Sequence, residues 1–167
     1  MTLRLVTPAN DLREPFLEMA REYVDTTEEI DFPDALLDFS SYLERTSLEQ
    51  RGLREGRVPA SHFWLLDEST VLGTSRVRHS LTPELEREIG HIGFDIRPSE
   101  RGRGYAPTLL RLTLERAREL ELPGVWIVCD ADNFASMATA QRCGATFRDE
   151  LISEWVGFPI RRYWVSL

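Results

Sequence analysis

Lysine is missing from the chain: all 20 basic side chains among its 167 residues are arginine. That absence excludes Schiff-base chemistry, pyridoxal-phosphate attachment and the lysine-dependent P-loop. Cysteine is nearly missing too. Cys129 and Cys143 are too few for a disulfide framework, so a reducing, cytoplasmic setting is expected. His62, His79 and His91 show no metal-ligand spacing, and no metal is expected. No apolar run approaches membrane-spanning length, and the N-terminus lacks the apolar core of a secretory signal. Acidic residues outnumber basic ones, 28 to 20, for a net charge of −8. That balance argues against nucleic-acid binding and against an anionic membrane surface as partner. The length suits one domain over residues 1–167, with 42% hydrophobic residues to build its core.

What is present falls into alternating periods. Leu3 to Val6 reads as a strand, and Asn10 or Asp11 is positioned to cap a helix bearing Phe16, Met19, Ala20 and Tyr23. An acidic loop, Asp25 to Asp34, precedes a second helix expected over Ala35 to Leu53. Strand periodicity then takes over at Ser61 to Leu66, Val71 to Ser80 and Ile89 to Ile96, with a polar loop at Thr82 to Arg87, giving an antiparallel meander. Helix Tyr105 to Leu120, the apolar strand Val125 to Cys129 and helix Phe134 to Arg142 complete a crossover unit and its extension. Two last strands, Leu151 to Val156 and Ile160 to Leu167, are joined at Gly157-Phe158-Pro159.

The most informative stretch is Gly93 to Pro107, Gly-Phe-Asp-Ile-Arg-Pro-Ser-Glu-Arg-Gly-Arg-Gly-Tyr-Ala-Pro. A strand runs through a glycine- and arginine-rich loop into a helix, which is the layout of an anion cradle. Glycine admits close backbone approach, the helix start offers N–H groups and a positive dipole end, and Arg97, Arg101 and Arg103 add charge suited to phosphate. A dinucleotide fingerprint is disfavoured, because Pro107 stands where its third glycine belongs.

Arg101-Gly102-Arg103-Gly104-Tyr105-Ala106 matches the Arg/Gln-x-x-Gly-x-Gly/Ala signature of the GNAT superfamily of N-acetyltransferases. The wider stretch from His91 to Ala106, together with Cys129-Asp-Ala-Asp-Asn133 and Pro159-Ile-Arg-Arg-Tyr-Trp164, resembles a bacterial subfamily described as acetyltransferases. The resemblance implies an α/β fold with a mixed, mostly antiparallel central sheet of six to seven strands and helices on both faces. It implies acetyl-CoA as acyl donor and an amine of a small molecule or peptide as acceptor. Backbone groups of Phe94, Asp95 and Ile96 would bond the pantetheine arm in a split near Phe94 and Val128. Amides from Gly102, Arg103, Gly104, Tyr105, Ala106 and Pro107 would hold the pyrophosphate, Arg101 would belong to the same cofactor-binding set, and Asn133 and Ser136 would lie near the end of the arm.

Acetyl transfer needs a neutral amine, a stabilised oxyanion and a proton for the leaving thiolate. The tyrosine that many family members use as general acid has Ala140 at the matching position. His91 and Asp95 share one side of the third meander strand and are the candidate proton carriers, with a satisfied buried histidine as the competing reading of His91. Cys143 is not expected to act as a nucleophile, so direct transfer is expected. The acidic loop would favour a cationic amine, and a homodimer is left open. The rival to catalysis is a non-catalytic acyl-CoA-binding or regulatory domain that keeps the cradle.

Overall fold

The computed structural model describes residues 2–24, 26, 32 and 34–167. Seven strands form one sheet: β1 (Leu3–Val6), β2 (Ala60–Asp67), β3 (Thr70–Arg78), β4 (Ile92–Ile96), β5 (Gly124–Asp130), β6 (Thr146–Ile152) and β7 (Pro159–Ser166). Their order is β1-β2-β3-β4-β5-β7-β6, antiparallel throughout except between β4 and β5. The parallel pair is joined by helix α5 (Tyr105–Glu119), as a parallel connection requires.

Period-two alternation sends strand side chains to two separate cores. Phe63, Val77, Ile92, Ile127 and Tyr163 pack with Leu110, Leu114 and Ala117 of α5 and with Met137 and Ala140 of helix α6 (Phe134–Arg142). On the opposite face Trp64, Leu66 and Val71 pack against helices α1 (Arg13–Arg21), α2 (Asp34–Leu37) and α3 (Phe39–Gln50). There Phe16 stacks on Trp64 with ring centroids 4.3 Å apart. The expected mostly antiparallel sheet with helices on both faces is therefore the observed architecture.

Several local expectations change. Asn10 and Asp11 do not cap α1; they form a 3-10 turn, and α1 starts without a side-chain cap. The single helix expected over Ala35 to Leu53 is broken, because Asp38 leaves the helical conformation and its carboxylate accepts the Ser41 N–H at 3.0 Å to start α3. The polar loop at Thr82 to Arg87 is helix α4 (Pro83–Glu88), capped by Thr82 with proline in its first turn. β4 starts at Ile92 rather than Ile89. The final hairpin begins earlier, at Thr146, and turns through residues 153–158. Of the acidic loop, Asp25, Glu28, Glu29 and Asp31 lie outside the described residues.

The feature that positions the site is the parting of β4 and β5. Their parallel register contains a single pair, Ile92 with Ile127. At that closed end His91 grips β5 twice: its backbone N–H donates to the Trp126 carbonyl at 2.8 Å, and its Nδ1 accepts the Trp126 N–H at 3.0 Å. Burial and the neighbouring Arg78 charge hold the His91 pKa down to about 4, so the ring stays neutral and keeps accepting. Beyond Ile92 the two strands diverge.

Helix α3 is tied to the sheet by Glu49, which is only 4% exposed. One carboxylate oxygen meets His62 Nε2 at 2.5 Å and the other pairs with Arg54. Burial alone would raise the Glu49 pKa, yet the hydrogen bonds and charges of His62 and Arg54 bring it from 4.5 to about 2. A depressed carboxylate contributes stability that is complete above pH 4.5 and is lost as pH falls towards 2. Glu49→Gln should therefore cost about 3 kcal/mol in urea unfolding at neutral pH. The gap between variant and wild type should close as the titration descends from pH 4.5, and a gap independent of pH would refute the pairing.

Candidate active site

The loop from Arg97 to Gly104 is rigidly moored before any ligand arrives. Glu22, one residue past α1, accepts from Arg97 Nε at 2.6 Å, from the Ser99 N–H at 2.9 Å and from Ser99 Oγ at 3.0 Å. Burial opposes ionisation of Glu22, but these donors and the Arg97 charge leave its pKa lowered. Tyr23 Oη and Arg101 Nε both donate to the Ile96 carbonyl, at 2.8 and 3.0 Å, and the Arg101 guanidinium lies 5.7 Å from the Tyr23 ring centroid. Arg97 is thus a strut to α1 rather than a charge held out for phosphate. Arg103 is the outward one, 61% exposed and paired with Glu100 at 3.1 Å.

Gly102 and Gly104 have φ of +75° and +82°, the left-handed region, and a Cβ on either would meet no atom within 4 Å. Space lies in front of both. Gly104 is the N-cap of α5 and carries no capping side chain, so the first-turn N–H groups of the helix have no partner within it. Pro107 sits in that turn without an N–H. The amide donation expected of it is therefore replaced by a carbonyl that accepts from Cys143 Sγ at 3.4 Å, fastening α6 to α5.

The antiparallel ladder decides which groups face the split. Arg78 N–H donates to the His91 carbonyl and Arg97 N–H to the Leu72 carbonyl, and the register between them is unbroken. Hydrogen-bonded pairs alternate, so Gly93 and Asp95 turn their backbone groups to β3. Phe94 and Ile96 turn theirs towards β5, where pairing has ended. The Ile96 carbonyl is already engaged, which leaves Phe94 as the residue with N–H and C=O best directed along the opening. Asp95 contributes through its side chain on the α1–α3 face.

Asn133 lies just past the end of β5 and Arg97 just past β4, so the two loops share the carboxyl edge of the parallel pair. Asn133 Oδ1 accepts the Ser136 N–H at 3.0 Å and caps α6, leaving its Nδ2 as the group able to donate outward. Ser136 is half-buried beside it, and Ala140 is fully buried in the core. The two thiols are poor nucleophiles: burial and Asp130 push Cys129 up to about 11, and burial raises Cys143.

Side chains that the sequence did not bring together meet on the α1–α3 face. A cavity of about 150 Å³ there is lined by Tyr42, Glu49, His62, Thr74, Arg76 and Asp95, among others, and Gly93 forms part of its wall. It opens on the same stretch of β4 that borders the split. Asp95 faces it, whereas His91 is engaged with Trp126 one pair further along. His79 has its own partner, Ser61 Oγ at 2.8 Å, so it does not join His91. Glu49 and His62 belong to different elements thirteen residues apart, and no local spacing signals their contact. Among the described residues no three His, Cys, Asp or Glu side chains converge to hold a metal ion.

The acetyltransferase (GNAT) domain family model matches residues 1–146. No curated protein matches the sequence. Among solved structures, RimL, the ribosomal L7/L12 alpha-N-protein acetyltransferase in complex with coenzyme A, is similar with a TM-score of 0.75 and 18% identity over 100% of this chain and 95% of that one. The microcin C7 self immunity acetyltransferase MccE, in complex with acetyl-CoA and AMP, gives 0.73 and 16%, covering 99% and 92%. A chimera of spermidine N-acetyltransferase SpeG from Vibrio cholerae and hSSAT gives 0.69 and 16%, covering 99% and 96%. At such identities the likeness is one of fold, while the family model spans most of the sequence. The moored glycine loop at the head of α5, the parted parallel strands and that match agree: the chain belongs to the GNAT acetyltransferase family.

Proposed function

We propose that this acetyltransferase moves an acetyl group from acetyl-CoA directly to a primary amine of a small molecule or peptide. The observation that carries the reading is the continuity of three parts: the open split beside Phe94, the Gly102–Gly104 turn at its mouth and the helix start behind that turn. An extended arm containing amides would pair with Phe94 and the free edge of β5, as an added strand does. Its pyrophosphate would meet the N–H groups of Gly102 to Ala106 and the α5 dipole, with Arg101 fixing the loop and Arg103 adding charge. Asn133 and Ser136, across the same edge, would border the arm. Solved relatives in complex with coenzyme A or acetyl-CoA support acetyl-CoA as the donor, and relatives that are a protein alpha-N-acetyltransferase and a spermidine N-acetyltransferase support a protein amino terminus or spermidine as the kind of amine accepted.

On this reading the amine approaches from the α1–α3 face. Asp95 is the carboxylate placed there, and an ammonium group entering the cavity would be attracted to it and could transfer its proton to it, directly or through water. The resulting neutral nitrogen attacks the thioester carbonyl, and the backbone N–H groups that face the split are the donors available to the oxyanion. Collapse of that adduct breaks the C–S bond, and the proton lost by the new amide nitrogen passes to the departing CoA thiolate, which leaves as the thiol. His91 serves as a positioning residue, because its ring is committed to the Trp126 amide that holds the strands' closed end. Burial of Ala140 keeps one rival in view, an acyl-CoA-binding domain without turnover.

Gly104→Val places a branched side chain at a positive φ in the mouth of the cradle. It should weaken CoA binding at least about tenfold by calorimetry, a loss of about 1.4 kcal/mol. Unchanged affinity would remove the cradle assignment. Asp95→Asn should lower kcat by about 100-fold with CoA affinity retained. His91→Ala should lower Tm and leave the wild-type pH–rate inflection in place, since His91 titrates near 4. Loss of that inflection would restore His91 as the proton carrier. Tight CoA binding with no thiol release across an amine panel would favour the non-catalytic rival.

A further inference from the structure

A second cavity, of about 440 Å³, adjoins the first and shares Glu49 and Arg76 with it. Its lining brings together Arg57, Arg76 and Arg78, with Thr82 and Trp155 at its sides. Three guanidinium groups converge there without a carboxylate of their own. Glu49 is already shared by Arg54 and His62, and Glu84 at the opposite wall is fully exposed and bonded to Thr82. Among the described residues none of the three arginines forms an ion pair.

The arrangement carries a cost that a ligand would relieve. Arg78 is 5% exposed, and among the described residues its one side-chain hydrogen bond is from Nη1 to the Gly90 carbonyl at 3.1 Å. Burial, then the charges of Arg76 and Arg57, opposed only by Glu49, pull its pKa down to about 9. Arg76 Nε is buried and has no hydrogen-bond partner among the described residues. An unpaired guanidinium N–H shielded from water is unfavourable unless something accepts from it. Arg76 is also the direct cross-strand partner of Gly93, one residue from the split, so whatever it holds lies beside the reacting end of the site.

We propose that this cavity binds an anionic group of the acceptor, so that the substrate is an amine that also carries a carboxylate or a phosphate. The inference rests on the acetyltransferase reading and narrows its acceptor class. The planar fork of arginine matches both oxyanions, and a cavity of this size accommodates a small-molecule moiety or a peptide end. The amine would reach Asp95 in the first cavity while its anionic group remains among the arginines, which makes the acceptor zwitterionic. A polyamine is disfavoured, because its second ammonium would be driven towards three like charges.

Two measurements on the full chain saturated with CoA test the site. Inorganic phosphate should raise the Tm of the wild type, and the rise should be lost in Arg57→Gln and Arg76→Gln; these positions are chosen because Arg78 is buried too deeply to alter safely. In the acetylation assay a glycyl dipeptide with a free carboxylate is compared with its amide, and aminoethyl phosphate with ethanolamine. The charged member of at least one pair should have a kcat/KM about tenfold higher, through KM. In both variants that ratio should fall towards one. The pair that responds identifies carboxylate or phosphate. Equal kcat/KM within both pairs, or a ratio surviving both substitutions, overturns the inference. Absence of turnover on every amine counts against the acetyltransferase reading, and phosphate then decides alone: no Tm rise overturns the anion site, and a rise lost in the variants upholds it.

Discussion

The structure depends on one local refusal to pair. β4 and β5 are adjacent and parallel, yet after Ile92 and Ile127 their ladder stops. A continuous sheet would satisfy those backbone groups and leave nothing to bind with. Here they are exposed along an opening whose closed end is fixed by His91 and Trp126. The neutral state of His91, enforced by burial beside Arg78, keeps that clasp formed across the physiological pH range.

Around this opening the two faces of the sheet divide the labour. α5 and α6 supply a packed floor and a dipole end, whereas α3 helps to wall the cavities on the other face. The two sides are mechanically joined. Glu22 and Tyr23, at the end of α1, hold Arg97, Ser99 and the Ile96 carbonyl, so the helix on this face also sets the shape of the glycine loop. A change in packing around Phe16 and Trp64 would therefore be felt at the glycine turn. On the far side of the same face, the arginine cavity makes the charge pattern asymmetric: a carboxylate near the split and three cations beyond it. A net charge of −8 does not disclose that local reversal.

Much of the glycine loop and the elements that flank it was legible because it is written locally. The glycine and arginine spacing at residues 101–106, the apolar run of β5, and helices α5 and α6 with their limits all follow from contiguous residues whose periods or steric demands are self-sufficient. The errors have equally local causes. Thr82-Pro83-Glu84 carries the start signals of a helix, but its residues are polar and the segment too short for an apolar stripe, so it reads as loop. Asp38 separates α2 from α3 within an otherwise helical pattern, because an aspartate serves equally on a helix surface and as a cap. The start of β6 was missed since Thr146 to Ile152 alternates mostly exposed residues on an edge strand, where burial imposes little pattern.

The sequence by itself determined the family, the fold class and the place of the glycine turn at the head of α5, because each rests on short stretches that specify their own backbone shape. Only the tertiary structure decided which of those groups are available. It committed His91 to Trp126, Arg97 to Glu22 and the Ile96 carbonyl to two donors, and it turned Phe94 towards the split. It also assembled Glu49 with His62, and Arg57 with the β3 pair Arg76 and Arg78, across elements with no shared local pattern. Hydrogen bonding and charge act through space over a few ångströms. Residues far apart in the chain acquire their chemistry only when the sheet and helices bring them within that range.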